Sequence, residues 1–204
     1  MLYINDSPEI LADELYFKFL ALLPEEQKNK TMRLRNISDR KRSVAAYILL
    51  YEGLKSEYGI NVFPELAYTE NGKPELRQHP DIFFSLSHCE KGVTCIISDS
   101  RVGVDIETIK PFDAELAEYI CSESELEEIM GSAYPALAFT VLWTKKESFC
   151  KMTGEGLPSV EELKQMLTEL PDKFFNTIVN KEKGYVLTSC INRGIPNILE
   201  NPLF

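Results

Sequence analysis

Apolar residues in the first third of the chain recur at helical spacing in two segments. Residues 9–23 form the first segment, which ends before Pro24. The second segment runs to Gly59, a residue suited to cap a helix C-terminus, and Ser38 and Asp39 stand where this helix is expected to begin. The pattern therefore predicts two helices before residue 60.

The middle of the chain changes to the two-residue period of β-strands. Asn71 and Gly72 together predict a tight turn. Three short apolar segments, 82–88, 92–98 and 101–107, predict strands. The segments between them hold only three and two residues. Connections this short predict that the three strands are antiparallel neighbours.

After Pro111 the helical period returns, and a second group of strands ends the chain. The predicted elements are helices at 113–120, from Ser122, and from about 135 to 152, a glycine-rich break at 153–159, a short helix at 159–167, and hairpin strands at 173–180 and 183–191. Helices followed by strands thus occur twice. This order predicts an α+β fold of two halves, 1–100 and 101–204, joined near residues 99–111.

Charge and cysteine content exclude several classes of function. The 204 residues carry a formal net charge of −10, whereas nucleic acids and anionic membranes attract an excess of Lys and Arg. The first residues lack the pattern of a secretory signal and no segment approaches membrane-spanning length, so we expect a cytoplasmic protein. The five cysteines are widely spaced without a C-x-x-C pair, which favours reduced structural thiols over disulfides or a zinc site.

Two carboxylates lie two positions apart in the segment "RVGVDIETIK". In a strand, Asp105 and Glu107 share one face, about 6.5 to 7 Å apart between Cα atoms. Their repulsion is relieved by a raised pKa or by a cation held between them, and oxygen ligands of this kind suit Mg²⁺. The alternative is a strand face that points into water.

A third carboxylate, Glu147, lies on one stripe of the predicted long helix with Trp143, Thr144 and Lys151. This stripe is expected to face away from the core. Glu147 is a candidate partner for the first two acids only if the fold brings it to the same point. The alternative is that Glu147 and Lys151 form an ordinary surface pair.

Positive charge is concentrated in residues 28–42. This segment holds one acid, Asp39, and seven basic residues: Lys28, Lys30, Arg33, Arg35, Arg40, Lys41 and Arg42. The last three crowd the first turn of a predicted helix, where cations oppose the helix dipole and a bound phosphate would offset that cost. The alternative is that these long side chains extend into water. His88 and Lys73 are similarly ambiguous candidates for phosphate contact or proton transfer.

The motifs "NGKPEL", "FFSLSH", "GVDIE" and "LWTKKESFCK", in this order and spacing, resemble the surfactin-synthetase-activating type of 4′-phosphopantetheinyl transferase. The resemblance covers about residues 38–157. It implies two α+β halves related by a pseudo-twofold axis, with coenzyme A bound in the cleft between them, in a pseudo-dimeric monomer. It also implies Mg²⁺-dependent transfer of phosphopantetheine from coenzyme A to a serine of an apo acyl or peptidyl carrier protein, releasing 3′,5′-ADP.

The resemblance further implies roles for individual residues. It makes Asp105, Glu107 and Glu147 the metal ligands, and Glu147 the base that deprotonates the carrier serine, directly or through a metal-bound water. Its catalytic residues would be Glu147, Lys151 and His88. The coenzyme A contacts that it implies are Arg42, Lys73, Ser87, His88 and Lys151, with Lys28, Lys30 and Arg33 near the adenylate.

Two positions carry a second interpretation or depart from the family. Glu125 stands where the family often has an acidic residue, but Ser122 and Glu125 also form a helix capping box. Cys89 replaces the small polar residue that commonly follows the family's histidine.

Two other functions compete with transfer. The chain could be an inactive module that binds coenzyme A or a carrier protein, or another Mg²⁺-dependent enzyme that cleaves phosphodiesters. An intact set of three acids favours an enzyme, because a pure binder has no evident need of them. Whether the carrier belongs to fatty-acid, polyketide or nonribosomal peptide biosynthesis stays open.

Overall fold

A computed structural model of the chain describes residues 1–7, 10–156, 158–167, 170 and 172–192. The chain begins with strand β1 (Leu2–Asn5) and three helices, α1 (Asp13–Leu22), α2 (Glu25–Met32) and α3 (Ile37–Tyr58). Helices α1 and α3 confirm the two predicted ones, although Glu9 lies outside the described residues. Gly59 takes a φ of 69° and caps α3, as its position predicts. The periodicity of the sequence does not predict β1 or α2.

The first sheet contains two of the three strands that the alternating pattern predicts, and a separate two-stranded hairpin precedes them. Strands β2 (Leu66–Tyr68) and β3 (Pro74–Leu76) form a small hairpin around Asn71 and Gly72, and Gly72 has the positive φ of 82° that this turn requires. Strands β4 (Phe83–Cys89) and β5 (Gly92–Ser98) are antiparallel neighbours, and β1 pairs with the other edge of β5. The order of this sheet is therefore β1-β5-β4.

The third predicted strand, β6 (Val102–Thr108), belongs to a different sheet. It pairs antiparallel with β8 (Tyr185–Ile191), which in turn pairs with β7 (Phe175–Asn180), so the order is β6-β8-β7. The prediction that β6 is an antiparallel neighbour of β5 is therefore wrong. Its physical reason is that both edges of β5 are already paired, one with β4 and the other with β1.

In the described part of the chain a short 3-10 helix (Asp172–Phe174) precedes β7, and four α-helices follow β6: α4 (Ala114–Ile120), α5 (Glu123–Gly131), α6 (Pro135–Thr153) and α7 (Val160–Gln165). Each begins close to its predicted start. Side chains of Asp113, Ser122 and Ser159 cap α4, α5 and α7, and the last two form capping boxes. Helix α6 ends at Gly154, which has a φ of 78°.

Strand β6 is buried on both faces and lies at the centre of the molecule. Val102, Val104 and Ile106 pack in a core cluster with Ile96 of β5 and Leu187 of β8. The opposite face of β6 lies against α6. The fold class is α+β, as the order of elements predicts. The pseudo-twofold relation and the division at residue 100 stay predictions.

All five cysteines are free thiols, and Cys95, Cys121, Cys150 and Cys190 are buried. Burial raises the pKa of Cys121 to about 11 and that of Cys150 to about 12. In the described part of the chain, each helix is too short or too polar to cross a bilayer.

Candidate active site

Three elements bring their polar side chains together around Asp105. This carboxylate lies on β6 and is only 2% exposed. Its Oδ1 accepts hydrogen bonds from the Nζ of Lys151 on α6, at 2.7 Å, and from the Oγ of Ser87 on β4, at 2.8 Å. Strand β4, strand β6 and helix α6 therefore meet at one carboxylate.

The hydroxyl of Ser87 is fully used within this cluster. It donates to Asp105 and accepts hydrogen bonds from Lys151 Nζ, at 3.0 Å, and from the backbone N–H of Ile106, at 3.4 Å. A serine hydroxyl has one donor and two acceptor positions. A contact between Ser87 and coenzyme A, as the resemblance implies, would require these hydrogen bonds to rearrange.

Glu107 and Glu147 lie in the same electrostatic neighbourhood. Burial and then the charge of Asp105 raise the pKa of Glu107, with a further contribution from Glu147. Burial is also the largest cause of the raised pKa of Glu147. The positive charge of Lys151 lowers this pKa, and the negative charge of Asp105 raises it. Both side chains are half-buried. The two acids of β6 and the one of α6 thus act on one another electrostatically.

The three acids do not by themselves form a closed metal cage. Among the described residues, no group of three His, Cys, Asp or Glu side chains stands close enough to hold a metal ion. The ammonium of Lys151 neutralises Oδ1 of Asp105, whereas Oδ2 is buried without a hydrogen-bond partner. A buried acceptor without a partner costs about 1–3 kcal/mol, and a cation would satisfy it.

Basic side chains adjoin the acids on one side. Burial, Arg42 of α3 and Lys151 lower the pKa of His88, in that order, whereas Asp39 raises it. Arg42 itself pairs with Asp39 at 2.5 Å. Arg42 and Lys151 therefore both lie within electrostatic range of His88. The lowered pKa makes His88 predominantly neutral at pH 7.

Much of the basic segment 28–42 has partners within the protein. Lys41 pairs with Asp13, and Arg40 donates from Nε to the carbonyl of Leu34 at 2.8 Å. These contacts offset part of the charge repulsion expected at the start of α3. Two predicted contacts to the adenylate, Lys28 and Arg33, lie at α2 and have no described contact with the cluster around Asp105; Lys28 approaches Glu25 and Arg33 is exposed.

Lys73 lies where the β2–β3 hairpin meets the end of α6. Its Nζ donates to the carbonyls of Lys151 and Met152, at 2.6 and 2.8 Å. These carbonyls belong to the last turn of α6, where a cation also complements the helix dipole. Burial and Arg101 lower the pKa of Lys73 to about 8. The side chain holds the helix that carries Glu147 and Lys151, and it has one N–H left for a ligand.

A cavity of about 270 Å³ opens between these elements and is lined in part by Lys73, Ser85, Glu147, Lys151 and Gly154. Pockets that enclose a whole drug-sized ligand typically measure about 300–1,000 Å³. This cavity can therefore hold only one part of a molecule as large as coenzyme A.

Helix α6 differs from the predicted amphipathic helix. Lys151 pairs with Asp105, so the interpretation of Glu147 and Lys151 as an ordinary surface pair is wrong. Thr144, which shares their stripe, is fully buried, with its Oγ1 2.8 Å from the Oγ1 of Thr188 on β8. The stripe that was expected to face solvent therefore packs on the second sheet.

Three functional contacts escaped the analysis of the sequence. The hydroxyls of Ser85 and Ser87 accept the backbone N–H groups of Val104 and Ile106, and so join β4 to β6 across the two sheets. The sequence feature that could have indicated the first two contacts is the placement of Ser85 and Ser87 two positions apart, on one face of an otherwise apolar strand. The third contact is the pairing of fully buried Lys146 with Glu125. The capping box of Ser122 and Glu125 is confirmed, but Glu125 serves both partners.

Comparison with known proteins supports the resemblance. A model of the 4′-phosphopantetheinyl transferase superfamily matches residues 101–189. The 4′-phosphopantetheinyl transferase psf-1 of Bacillus pumilus is 34% identical over 65% of this chain, and the match covers 58% of that relative's length. The corresponding Sfp protein of Bacillus subtilis is 26% identical over 88% of the chain and 87% of the relative.

A yeast relative has a more specific description. The L-aminoadipate-semialdehyde dehydrogenase-phosphopantetheinyl transferase of Saccharomyces cerevisiae is 30% identical over 73% of this chain and 60% of its own length. The chain thus spans about three fifths of two of these three relatives and most of the third.

Proposed function

The chain belongs to the 4′-phosphopantetheinyl transferase superfamily, and from this premise we propose that it transfers the 4′-phosphopantetheine moiety of coenzyme A to a serine hydroxyl of an apo carrier protein. The observation that carries the proposal is the contact of buried Asp105 with Lys151, beside Glu107, Glu147 and a cavity. Acids and bases placed together in this way suit phosphoryl transfer, which depends on positioning and on charge neutralisation.

The acids fit Mg²⁺ by their chemistry. Asp105, Glu107 and Glu147 offer only oxygen ligands, which Mg²⁺ prefers, and it commonly takes one or two carboxylates together with substrate phosphates. Oδ2 of Asp105 is buried and unpaired, and the raised pKa values of Glu107 and Glu147 reflect in part their repulsion by like charges. Among these three side chains we propose that Asp105, with at least one of Glu107 and Glu147, would hold Mg²⁺, which would supply positive charge to the diphosphate.

We assign to Glu147 the role of accepting the proton of the carrier serine. Its pKa is raised above that of an ordinary glutamate, which makes the carboxylate a better general base at neutral pH. In the balanced step, the serine oxygen bonds to the phosphorus that carries pantetheine, and the bond from this phosphorus to the adenylate side breaks. The serine proton passes to Glu147, and 3′,5′-ADP leaves with the electron pair of the broken bond.

The basic residues divide the remaining work. Lys151 and Arg42 offer fixed positive charge near the diphosphate, and neutral His88 offers an N–H donor to a phosphate oxygen. Lys73 holds the last turn of α6 and so fixes the position of Lys151. Ser87 holds Asp105 in place. This division gives Ser87 and Lys73 supporting roles beside any contact they make with coenzyme A.

The direct experiment uses the whole chain with coenzyme A, Mg²⁺ and a panel of apo carrier proteins from fatty-acid, polyketide and peptide synthesis, and the carrier domain of an aminoadipate-semialdehyde dehydrogenase. Intact-mass spectrometry of each carrier is expected to show one added phosphopantetheine on at least one of them. The matched variants are Asp105→Asn, which should not modify any carrier, and Glu182→Gln, an exposed carboxylate in the β7–β8 turn, which should act as the wild type does.

The same experiment separates the competing functions. Binding of coenzyme A without modification of any carrier would favour an inactive binding module. Consumption of coenzyme A in the absence of any carrier would favour an enzyme that cleaves phosphodiesters by hydrolysis. Either outcome would overturn the proposed transfer.

A further inference from the structure

Helix α6 and strand β6 approach so closely at Gly103 that no side chain fits between them. A Cβ atom added to Gly103 would lie 1.9 Å from the carbonyl oxygen of Ser148 and 2.5 Å from the backbone nitrogen of Met152. Both are backbone atoms of a helix, and neither can move aside as the end of a flexible side chain can. Contact at ordinary distance begins at 3.4 Å.

The requirement for glycine here is one of space and not of backbone conformation. Gly103 is absent from the glycines with positive φ, so an alanine could adopt its backbone angles. The other described glycines with a neighbour under 3.0 Å, Gly53, Gly92 and Gly154, differ in kind, because these close neighbours are side-chain atoms. Gly103 is thus the described glycine at which a Cβ would collide with helix backbone.

The rest of the interface is built for the same close approach. Thr144 and Ser148, on the face of α6 toward the sheet, are small and fully buried. Thr144 bonds through its hydroxyl to Thr188, which lies directly opposite Asp105 in the β6–β8 register. Helix α6 is therefore held on the sheet at short range about one turn before the collision point at Ser148.

The collision point also lies between the functional groups. Gly103 and Asp105 are two positions apart and so share one face of β6, the face toward α6. On the helix, Ser148 directly follows Glu147 and precedes Lys151 by three residues, or nearly one turn. The distance between the two backbones at Gly103 therefore sets where Glu147 and Lys151 stand relative to Asp105.

We propose that Gly103 is a positioning residue that sets the separation between β6 and α6, and thereby holds Glu147 and Lys151 at working distance from Asp105. The role in turnover rests on the proposed function above. A Cβ at this position forces the backbones apart by roughly 1 Å or more, and a displacement of about 1 Å at a catalytic group can cost about a hundredfold in rate. The Lys151–Asp105 contact of 2.7 Å does not survive such a shift.

The test compares Gly103→Ala with two alanine variants. Gly131→Ala adds a Cβ with nothing within 4 Å, and Gly53→Ala adds one that would lie 2.5 Å from a side-chain atom of Ile97 and 2.8 Å from one of Tyr3, neither of which belongs to α6. Each variant is assayed for urea unfolding, for kcat and KM with coenzyme A, and for the affinity of Mn²⁺ alone, measured by electron paramagnetic resonance. The Mn²⁺ measurement needs neither coenzyme A nor a carrier.

The expected results distinguish positioning from general stability. Gly103→Ala should lower kcat about a hundredfold with a smaller change in KM, and should weaken Mn²⁺ binding at least tenfold. Gly53→Ala should lose stability but keep kcat and Mn²⁺ affinity, and Gly131→Ala should match the wild type. Unchanged kcat and Mn²⁺ affinity in folded Gly103→Ala, or equal losses in Gly53→Ala, would overturn the proposal.

A second variant covers the case in which Gly103→Ala does not fold. Thr188→Ile adds bulk beneath the same helix without altering β6, and should give the same kind of loss in smaller degree. A folded Thr188→Ile with unchanged kcat and Mn²⁺ affinity would then overturn the proposal. If the wild type transfers no phosphopantetheine, the Mn²⁺ measurement still decides the role of Gly103, so the failure of the proposed function and the failure of this inference are distinguishable.

Discussion

Lys146 and Glu125 form an ion pair in the protein interior that joins α6 to α5. Nζ of Lys146 lies 2.8 Å from Oε2 of Glu125, and the lysine side chain is 1% exposed. The ammonium also donates to the carbonyls of Ile120 and Leu163. One side chain on α6, next to Glu147, therefore ties this helix to three neighbouring segments.

Glu125→Gln is expected to destabilise the fold by about 3 kcal/mol, because it leaves the buried ammonium without a counter-charge. The amide oxygen can still accept the N–H of Ser122, so the helix cap is retained. Urea unfolding measures the effect. The matched control is Asp172→Asn, which removes the partner of Lys145 on the same helix, where the aspartate side chain is 90% exposed. That change should cost less than about 1 kcal/mol. Equal losses in both variants would contradict the assigned role of the buried pair.

Ser87→Ala is expected to lower both stability and turnover. The buried N–H of Ile106 loses its acceptor, which costs about 1–3 kcal/mol, and Asp105 loses the hydroxyl that orients it. Thr94→Val is the control, because Thr94 lies opposite Ser87 in the β4–β5 register and its hydroxyl donates to the carbonyl of Tyr3, away from Asp105. Steady-state kinetics should show a loss of kcat in Ser87→Ala alone. A similar loss in Thr94→Val would mean that Ser87 acts only through the stability of the sheet.

Because the pKa of Lys73 is lowered in the folded chain, the free energy of unfolding is expected to rise at alkaline pH. Its pKa is lowered to about 8 in the folded chain, against 10.5 for the ordinary side chain. Between pH 8 and pH 10.5 the side chain of Lys73 binds more protons in the unfolded chain than in the folded chain. The free energy of unfolding therefore rises with pH, because the folded chain no longer holds a buried charge. Relative to Lys73→Met, the wild type should gain about 1 to 2 kcal/mol from pH 8 to pH 10 in urea unfolding. A difference that stays flat or falls with pH would contradict this assignment.

Signals within a few residues predicted the local structure correctly. Gly59 ends α3, Asn71 and Gly72 form their turn, and Ser122 starts α5, because caps and turns depend on neighbouring residues. The pairing of β6 could not be predicted in this way. Its partner β8 lies about eighty residues further along the chain, and the edge of β5 was closed by a strand too short to show a period.

In the candidate site, too, the local arrangement of residues was predicted correctly and a contact between distant segments was not. The alternation of residues 102–107 placed Asp105 and Glu107 on one face, and β6 has that arrangement. The partner of Lys151 is Asp105, which is 46 residues away, whereas helical spacing alone favours Glu147. Contacts between distant segments depend on how α6 lies across the sheet, and the period of one helix does not contain that information.

His88 is expected to respond to coenzyme A. Burial, Arg42 and Lys151 lower the pKa of its imidazole below 6.5. A bound diphosphate adds negative charge nearby and should therefore raise this pKa. An NMR titration of the ring protons, with and without coenzyme A, measures both values. In Arg42→Met the free protein should show a higher pKa than the wild type. No change of the imidazole pKa on addition of coenzyme A would place the phosphates away from His88.

Anomalous X-ray diffraction from crystals of the protein grown with Mn²⁺ and coenzyme A measures most directly whether these acids hold the metal against the diphosphate. We expect one strong Mn²⁺ peak that lies about 2.1 Å from oxygens of Asp105 and of at least one of Glu107 and Glu147, and that also contacts the diphosphate. A Mn²⁺ peak on coenzyme A that touches none of the three acids, or coenzyme A bound elsewhere on the surface, would contradict it.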